Sequence, residues 1–154
     1  MRMTLTERKL SPELERYVSR SMPECADISV IVNNLVAFGG FKDVAAARDA
    51  LRWGSGPFVF PEHPHNSRCA NASGHAKCSF DAKRPHWIQI NMEDFDDWLN
   101  GRGTGFTAGG RPVPIIGVAM LHALCHWGNF RAGVTEPAEQ GLAFERATYG
   151  RVIG

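Results

Sequence analysis

His122 and His126 stand four residues apart in an otherwise apolar run, PVPIIGVAMLHALCHW, from Pro112 to Trp127. On a helix that spacing projects both imidazoles from one face, about one turn apart. Burying two imidazoles requires partners for their nitrogens. Core histidines bonded to backbone carbonyls would meet that need; so would a divalent metal, and zinc is the ion that histidine pairs of this spacing suit. A zinc site that works on a substrate takes three protein ligands and leaves a fourth position for water. The third ligand is sought downstream in EPAEQGLAFERATYG, residues 136–150. Glu145 follows His126 after eighteen intervening residues, room for a helix end, a turn and a second helix packing back. Gly141, one turn earlier, would let the two helices approach closely, and Leu142 and Tyr149 flank Glu145 on what should be an inward face. Glu139 is the rival, nearer the loop. The spacing favours Glu145, and a solvated helix face beside Arg146 accounts for at least one of the two. Tyr149 could donate a hydrogen bond to a tetrahedral oxyanion, or simply pack ahead of Gly150.

The rest of the chain must position these groups. Its 154 residues carry 17 Lys+Arg and 16 Asp+Glu, with 44% hydrophobic and 21% charged residues. Those values suit one globular domain spanning 1–154 that can bury a core without staples. Near-neutral charge argues against a nucleic-acid partner, and no apolar run is long enough to span a membrane. The start, MRMTLTERKLSPELER, lacks the apolar core of a signal peptide. Ser11-Pro12 followed by acids predicts a helix to about Ser21. Further helices are expected over Asp27–Phe38, Asp43–Trp53 and Met92–Leu99, the last carrying Glu93, Asp94, Asp96 and Asp97 on a solvated face. A helix over Pro112–Trp127 should lie in the core. A final helix is expected over Glu136–Tyr149, with Thr135 as its N-cap. Strands are expected at Phe58–Phe60 and His86–Asn91, and five glycines between Gly101 and Gly110 predict a flexible loop. Cys25 and Cys125 sit in apolar surroundings as small hydrophobes. Cys69 and Cys78 enclose only ANASGHAK, so a local disulfide and a pair of reduced thiols are both open. The tract His63, His65, Cys69, His75, Cys78 fits no standard zinc-finger spacing.

HALCHWGN followed by EQGLAFERATYG resembles the glutamate-ligand zincins. More narrowly, it resembles small bacterial metallopeptidase toxin domains. These read His-Glu-x-x-His-Trp-Gly, then Glu-x-Gly-x-x-Phe-Glu, then Tyr-Gly. The matching positions are His122, His126, Trp127, Gly128, Glu139, Gly141, Phe144, Glu145, Tyr149 and Gly150. The resemblance implies an α+β, zincin-like fold, mostly helical with a small twisted sheet. It also implies one Zn2+ on His122, His126 and a downstream Glu, with a protein or peptide as substrate. By the same resemblance, such a domain is a secreted, antibacterial effector of the type VI secretion kind. It would be delivered into a target cell, with its periplasm as one site of action and an immunity protein as partner. An edge strand above the metal helix would hold an extended substrate, and His86–Asn91 is the strand expected there. The chain departs from the motif at one position: Ala123 stands where the motif has its general-base Glu. That Ala, introduced or natural, predicts a chain that binds metal and does not hydrolyse. The competing classes are a non-catalytic zinc-containing binding module and a zinc amidase acting on cell-wall peptides.

Overall fold

The computed structural model describes residues 1–62, 78–80, 82–134 and 139–153. Among the described residues, eight α-helices and five strands follow in the order α1 Leu5–Leu10, α2 Pro12–Arg16, α3 Met22–Glu24, α4 Ser29–Phe38, α5 Val44–Leu51, β1 Phe58–Glu62, β2 Cys78–Phe80, β3 Trp87–Asn91, α6 Met92–Leu99, β4 Thr104–Phe106, β5 Pro112–Pro114, α7 Ile115–Arg131 and α8 Gln140–Tyr149. The fold is α+β, mostly helical, with small sheets.

The helical N-terminal half is entered earlier than expected. Thr4 caps α1 through a reciprocal capping box with Glu7. Ser11 stands at the N-cap of α2 but makes no side-chain cap bond, leaving Pro12 and Glu13 to start that helix. From Pro12 the chain stays helical in character to Asp27 through a wide turn at Tyr17–Ser21 and a tight one at Cys25–Asp27. α4 and α5 fall within the expected ranges, and Asp43 caps α5 by accepting from the Ala46 N–H at 2.7 Å.

Among the described residues, β1, β3 and β2 form one sheet in that order. β1 runs parallel to β3 with Phe58 opposite Trp87, and β2 runs antiparallel to β3 with Phe80 opposite Ile88. The expectation that the His86–Asn91 segment is an edge strand is therefore corrected. β3 is flanked on both sides, its Ile88 and Ile90 are fully buried, and Gln89 on its other face is buried as well. Among the described residues the edges of this sheet are β1 and β2, and β2 packs against α7.

Asn91 caps α6 by accepting from the Glu93 N–H at 3.0 Å, with Phe95 inside and Glu93, Asp96 and Asp97 exposed. The glycine-rich segment is not all loop: Thr104–Phe106 pairs with Pro112–Pro114 as the β4–β5 hairpin. β5 also takes the first three residues expected to be helical, so α7 begins at Ile115 and runs to Arg131.

α7 is the central element. Eleven of its seventeen residues are buried, which is what an all-round apolar helix demands. Burial pushes the Cys25 thiol up to about 11, and neither Cys25 nor Cys125 is in a disulfide. Cys69, and with it the question of a Cys69–Cys78 bridge, lies outside the described residues, as do His63, His65, His75 and the expected cap Thr135. The last helix starts at Gln140, later than Glu136, with Glu139 extended in front of it as its N-cap. No described helix is long and apolar enough to cross a membrane.

Candidate metal centre

α7 carries His122 and His126 on one face, as their spacing dictates, with ring centroids 5.0 Å apart. α8 packs back against that face. Its N-cap is Glu139, and the two oxygens of this carboxylate do different work. Oε2 accepts the Leu142 backbone N–H at 2.6 Å, satisfying an orphan donor of the first turn. Oε1 lies 2.5 Å from His126 Nε2 and 3.1 Å from His122 Nε2. Helix capping thus aims the carboxylate at both imidazoles.

Glu145 takes the other side of His122. It is 3% exposed. Its Oε1 is 2.6 Å from His122 Nδ1, and its Oε2 accepts the Ile153 backbone N–H at 2.7 Å. The two glutamates are thus divided between the two nitrogens of one ring. Spacing put Glu145 ahead of Glu139 as the partner of both histidines; distance puts Glu139 there. Ligand atoms of His122, His126 and Glu139 lie within 4.8 Å of one another, and this group could hold a metal ion.

Gly141 is the condition for this geometry. A Cβ built on it would overlap the His122 ring at Cδ2, Nε2 and Cε1. The close approach of α8 that Gly141 suggested in the sequence is therefore an approach to the imidazole itself. Two histidines and a carboxylate form a donor set suited to zinc, and a glycine where any side chain would strike a ligand ring fits a site kept clear for an ion.

The remaining predicted residues supply no ligand atom to this cluster. Ala123 is fully buried in the apolar core. Its methyl group is therefore not on an open, solvent-facing side. Tyr149 stands edge-on to Phe144 at 6.2 Å and packs against the core. Burial, then the nearby Cys25 and Glu145, push its phenol up. Sequence reasoning missed Ile153 entirely; a backbone donor leaves no side-chain signal to find.

The charges here are coupled. Burial works against a charged His122, but Glu139 and Glu145 outweigh it and raise the imidazole from its ordinary 6.5 to about 9. Burial likewise works against a charged Glu139, yet hydrogen bonds from His122 and His126 hold its carboxyl well below the usual carboxylate range. His122, raised on folding, contributes stability that is fully present below 6.5 and lost as pH rises towards about 9. Glu139, depressed on folding, contributes above its ordinary 4.5 and loses that contribution as pH falls below it. The metal-free protein is expected to show its largest contribution from this pair between those two ordinary values. Urea unfolding across pH 4 to 10 checks this: the decline on the alkaline side should disappear in His122→Asn.

The family profile described as Metallopeptidase toxin 3 matches residues 7–150 of the chain. Neither a curated protein nor a solved structure matches it.

Proposed function

The chain belongs to the metallopeptidase toxin 3 family, and on that premise we propose that it is a zincin-type toxin domain whose single Zn2+ is held by His122, His126 and Glu139. The observation that carries this reading is the convergence of both Nε2 atoms on one Glu139 oxygen. A zinc ion there supplies Lewis-acid chemistry, polarising a carbonyl and acidifying water.

The chain's own residues do the rest. Glu145 accepts the His122 Nδ1–H, which fixes the tautomer and leaves Nε2 for the ion. Glu139 keeps its orientation because the same carboxylate caps α8. An extended peptide would pair with β2, the edge strand beside α7, rather than with β3. Tyr149 serves packing in this reading. Ala123 has no group to accept a proton, so peptide hydrolysis by this chain is slow or silent. In this reading, which rests on the resemblance in the sequence, the domain is delivered into a competitor bacterium and an immunity protein is its partner.

One observation favours a second reading, a non-catalytic zinc module. Ala123 is part of a sealed apolar core, a setting in which a native alanine needs no missing glutamate.

Zinc titration of the purified protein tests the ligand set. One zinc per chain is expected. His122→Ala and Glu139→Gln should abolish tight binding. Glu145→Gln should weaken it by about 10–100-fold, the usual cost of losing a group that orients a ligand. If Glu145→Gln loses zinc and Glu139→Gln keeps it, the assignment is reversed. Because His122 carries a proton up to about 9, zinc uptake at pH 7.5 should release that proton.

A further inference from the structure

The segment after α8 reaches back to the metal centre. Gly150 ends the helix in the left-handed conformation, at φ 76°, with its N–H on Arg146 O. Glycine adopts that backbone at no steric cost, and it turns the chain out of the helix axis. The chain then returns along its own last turns, so that the Ile153 N–H meets Glu145 Oε2 at 2.7 Å.

Two contacts with the β4–β5 hairpin fix this return. Ala108, just after β4, donates its N–H to Tyr149 O at 2.8 Å. Gly105, in the middle of β4, faces the Ile153 side chain so closely that a Cβ there would overlap Ile153 Cγ2. A glycine at the centre of a strand marks such a close approach. From the hairpin a continuous line of contacts runs through Ile153 to Glu145, and from Glu145 Oε1 to His122 Nδ1 at 2.6 Å.

We propose that the tail residue Ile153, seated on the β4–β5 hairpin, is a positioning residue: its backbone N–H holds the Glu145 carboxylate in the orientation that aims His122 at the metal. This deepens the zinc reading given above and rests on it. The physical reason is that Glu145 is almost fully buried. A buried carboxylate needs both oxygens satisfied. His122 satisfies one and the tail amide the other. Without the amide, Oε2 must find another donor, the carboxylate turns, and the imidazole loses the partner that fixes its ring.

The test separates the amide from the side chain. Ile153→Pro removes the N–H; Ile153→Ala keeps it and removes the contact with Gly105. Zinc affinity, measured by chelator competition, is expected to fall about tenfold or more in Ile153→Pro. In Ile153→Ala, which keeps the amide, the fall should be several-fold smaller. In the Glu145→Gln background, Ile153→Pro should add little further loss, because the two changes break one line of contacts. A second arm approaches from the hairpin. Gly105→Ala should weaken zinc by pushing the tail away, and Ile153→Ala should restore the affinity by making room. A readout without metal is the Nδ1 proton of His122, which in nuclear magnetic resonance should be strongly downfield in the metal-free protein and in Ile153→Ala. In Ile153→Pro it should be lost to exchange. A protein that takes up no zinc at all, yet shows this pattern in the Nδ1 proton, would overturn the metal reading and leave the positioning role standing. Unchanged zinc affinity and an unchanged Nδ1 proton in Ile153→Pro would overturn the positioning role.

Discussion

Gly141→Ala is expected to abolish zinc binding and to cost the metal-free protein only part of its stability. The added Cβ would overlap three atoms of the His122 ring. That ring has no slack, since its Nδ1 is held by Glu145 and its Nε2 faces Glu139. It must swing out of the cluster. That leaves the buried Glu145 oxygen without its His122 partner, at a cost of about 1–3 kcal/mol, part of which alanine offsets as the better helix former, although position 141 lies in the first turn of α8. The effects on stability oppose each other while the effect on zinc has no offset, which makes the result diagnostic. A general loss of structure would abolish the cooperative melting transition together with zinc uptake. Obstruction of the ligand ring lowers zinc uptake by at least about 100-fold, given that it removes a ligand rather than a group behind one, and keeps a cooperative melt. Melting curves without metal, set beside zinc titration of the same sample, check both halves. Gly141→Ala protein that binds zinc as tightly as the unsubstituted chain would mean that His122 is not held where its hydrogen bonds place it.

How much of this was legible in the sequence depends on the range of the physics involved. The histidine pair was legible because helical period alone fixes a shared face. Gly141 was legible as a close approach, because glycine facing another helix has few other reasons to be there. The choice between Glu139 and Glu145 was not. It depends on where α8 begins, and helix boundaries follow from caps that several residues could supply. With Thr135 as cap, Glu139 would sit inside the helix and Glu145 would be the inward residue. With Glu139 as cap, its backbone is extended, at φ −71° and ψ 92°, and its side chain reaches back over the first turn. The edge strand was misplaced for a different reason. Alternation in His86–Asn91 marks a strand but not its neighbours, and pairing on both sides of β3 depends on two other segments, β1 and β2, whose arrival the alternation does not encode. The hairpin at Thr104–Pro114 was hidden by its glycines and prolines, one of which, Gly105, is needed for contact with Ile153.

Placing a carboxylate at position 123 is the change with the largest expected gain. Ala123→Glu places a proton acceptor next to the first histidine of the pair, the position the general base occupies in the motif that the sequence resembles. General acid–base help is worth about 10²–10⁴-fold, and peptide hydrolysis should rise from background by that order. Expression should then arrest growth of a bacterial host, in the cytoplasm or when exported to the periplasm. The setting of Ala123 adds a cost that the sequence did not reveal. Its side chain is sealed in the core, so the new carboxylate must either reach the metal side along its own methylenes or remain buried without a partner. A carboxylate buried without a partner takes up a proton rather than stay charged, and the neutral group still costs about 1–3 kcal/mol by the mutational measure. The metal-free protein with this substitution should therefore melt earlier, and zinc, by drawing the carboxylate towards the cluster, should recover part of the loss. Activity and arrest should both vanish when His126→Ala is added. A protein carrying Ala123→Glu that folds, binds one zinc and neither cleaves peptides nor harms a cell in any compartment would end the peptidase reading for this chain and leave the zinc-containing binding module in its place.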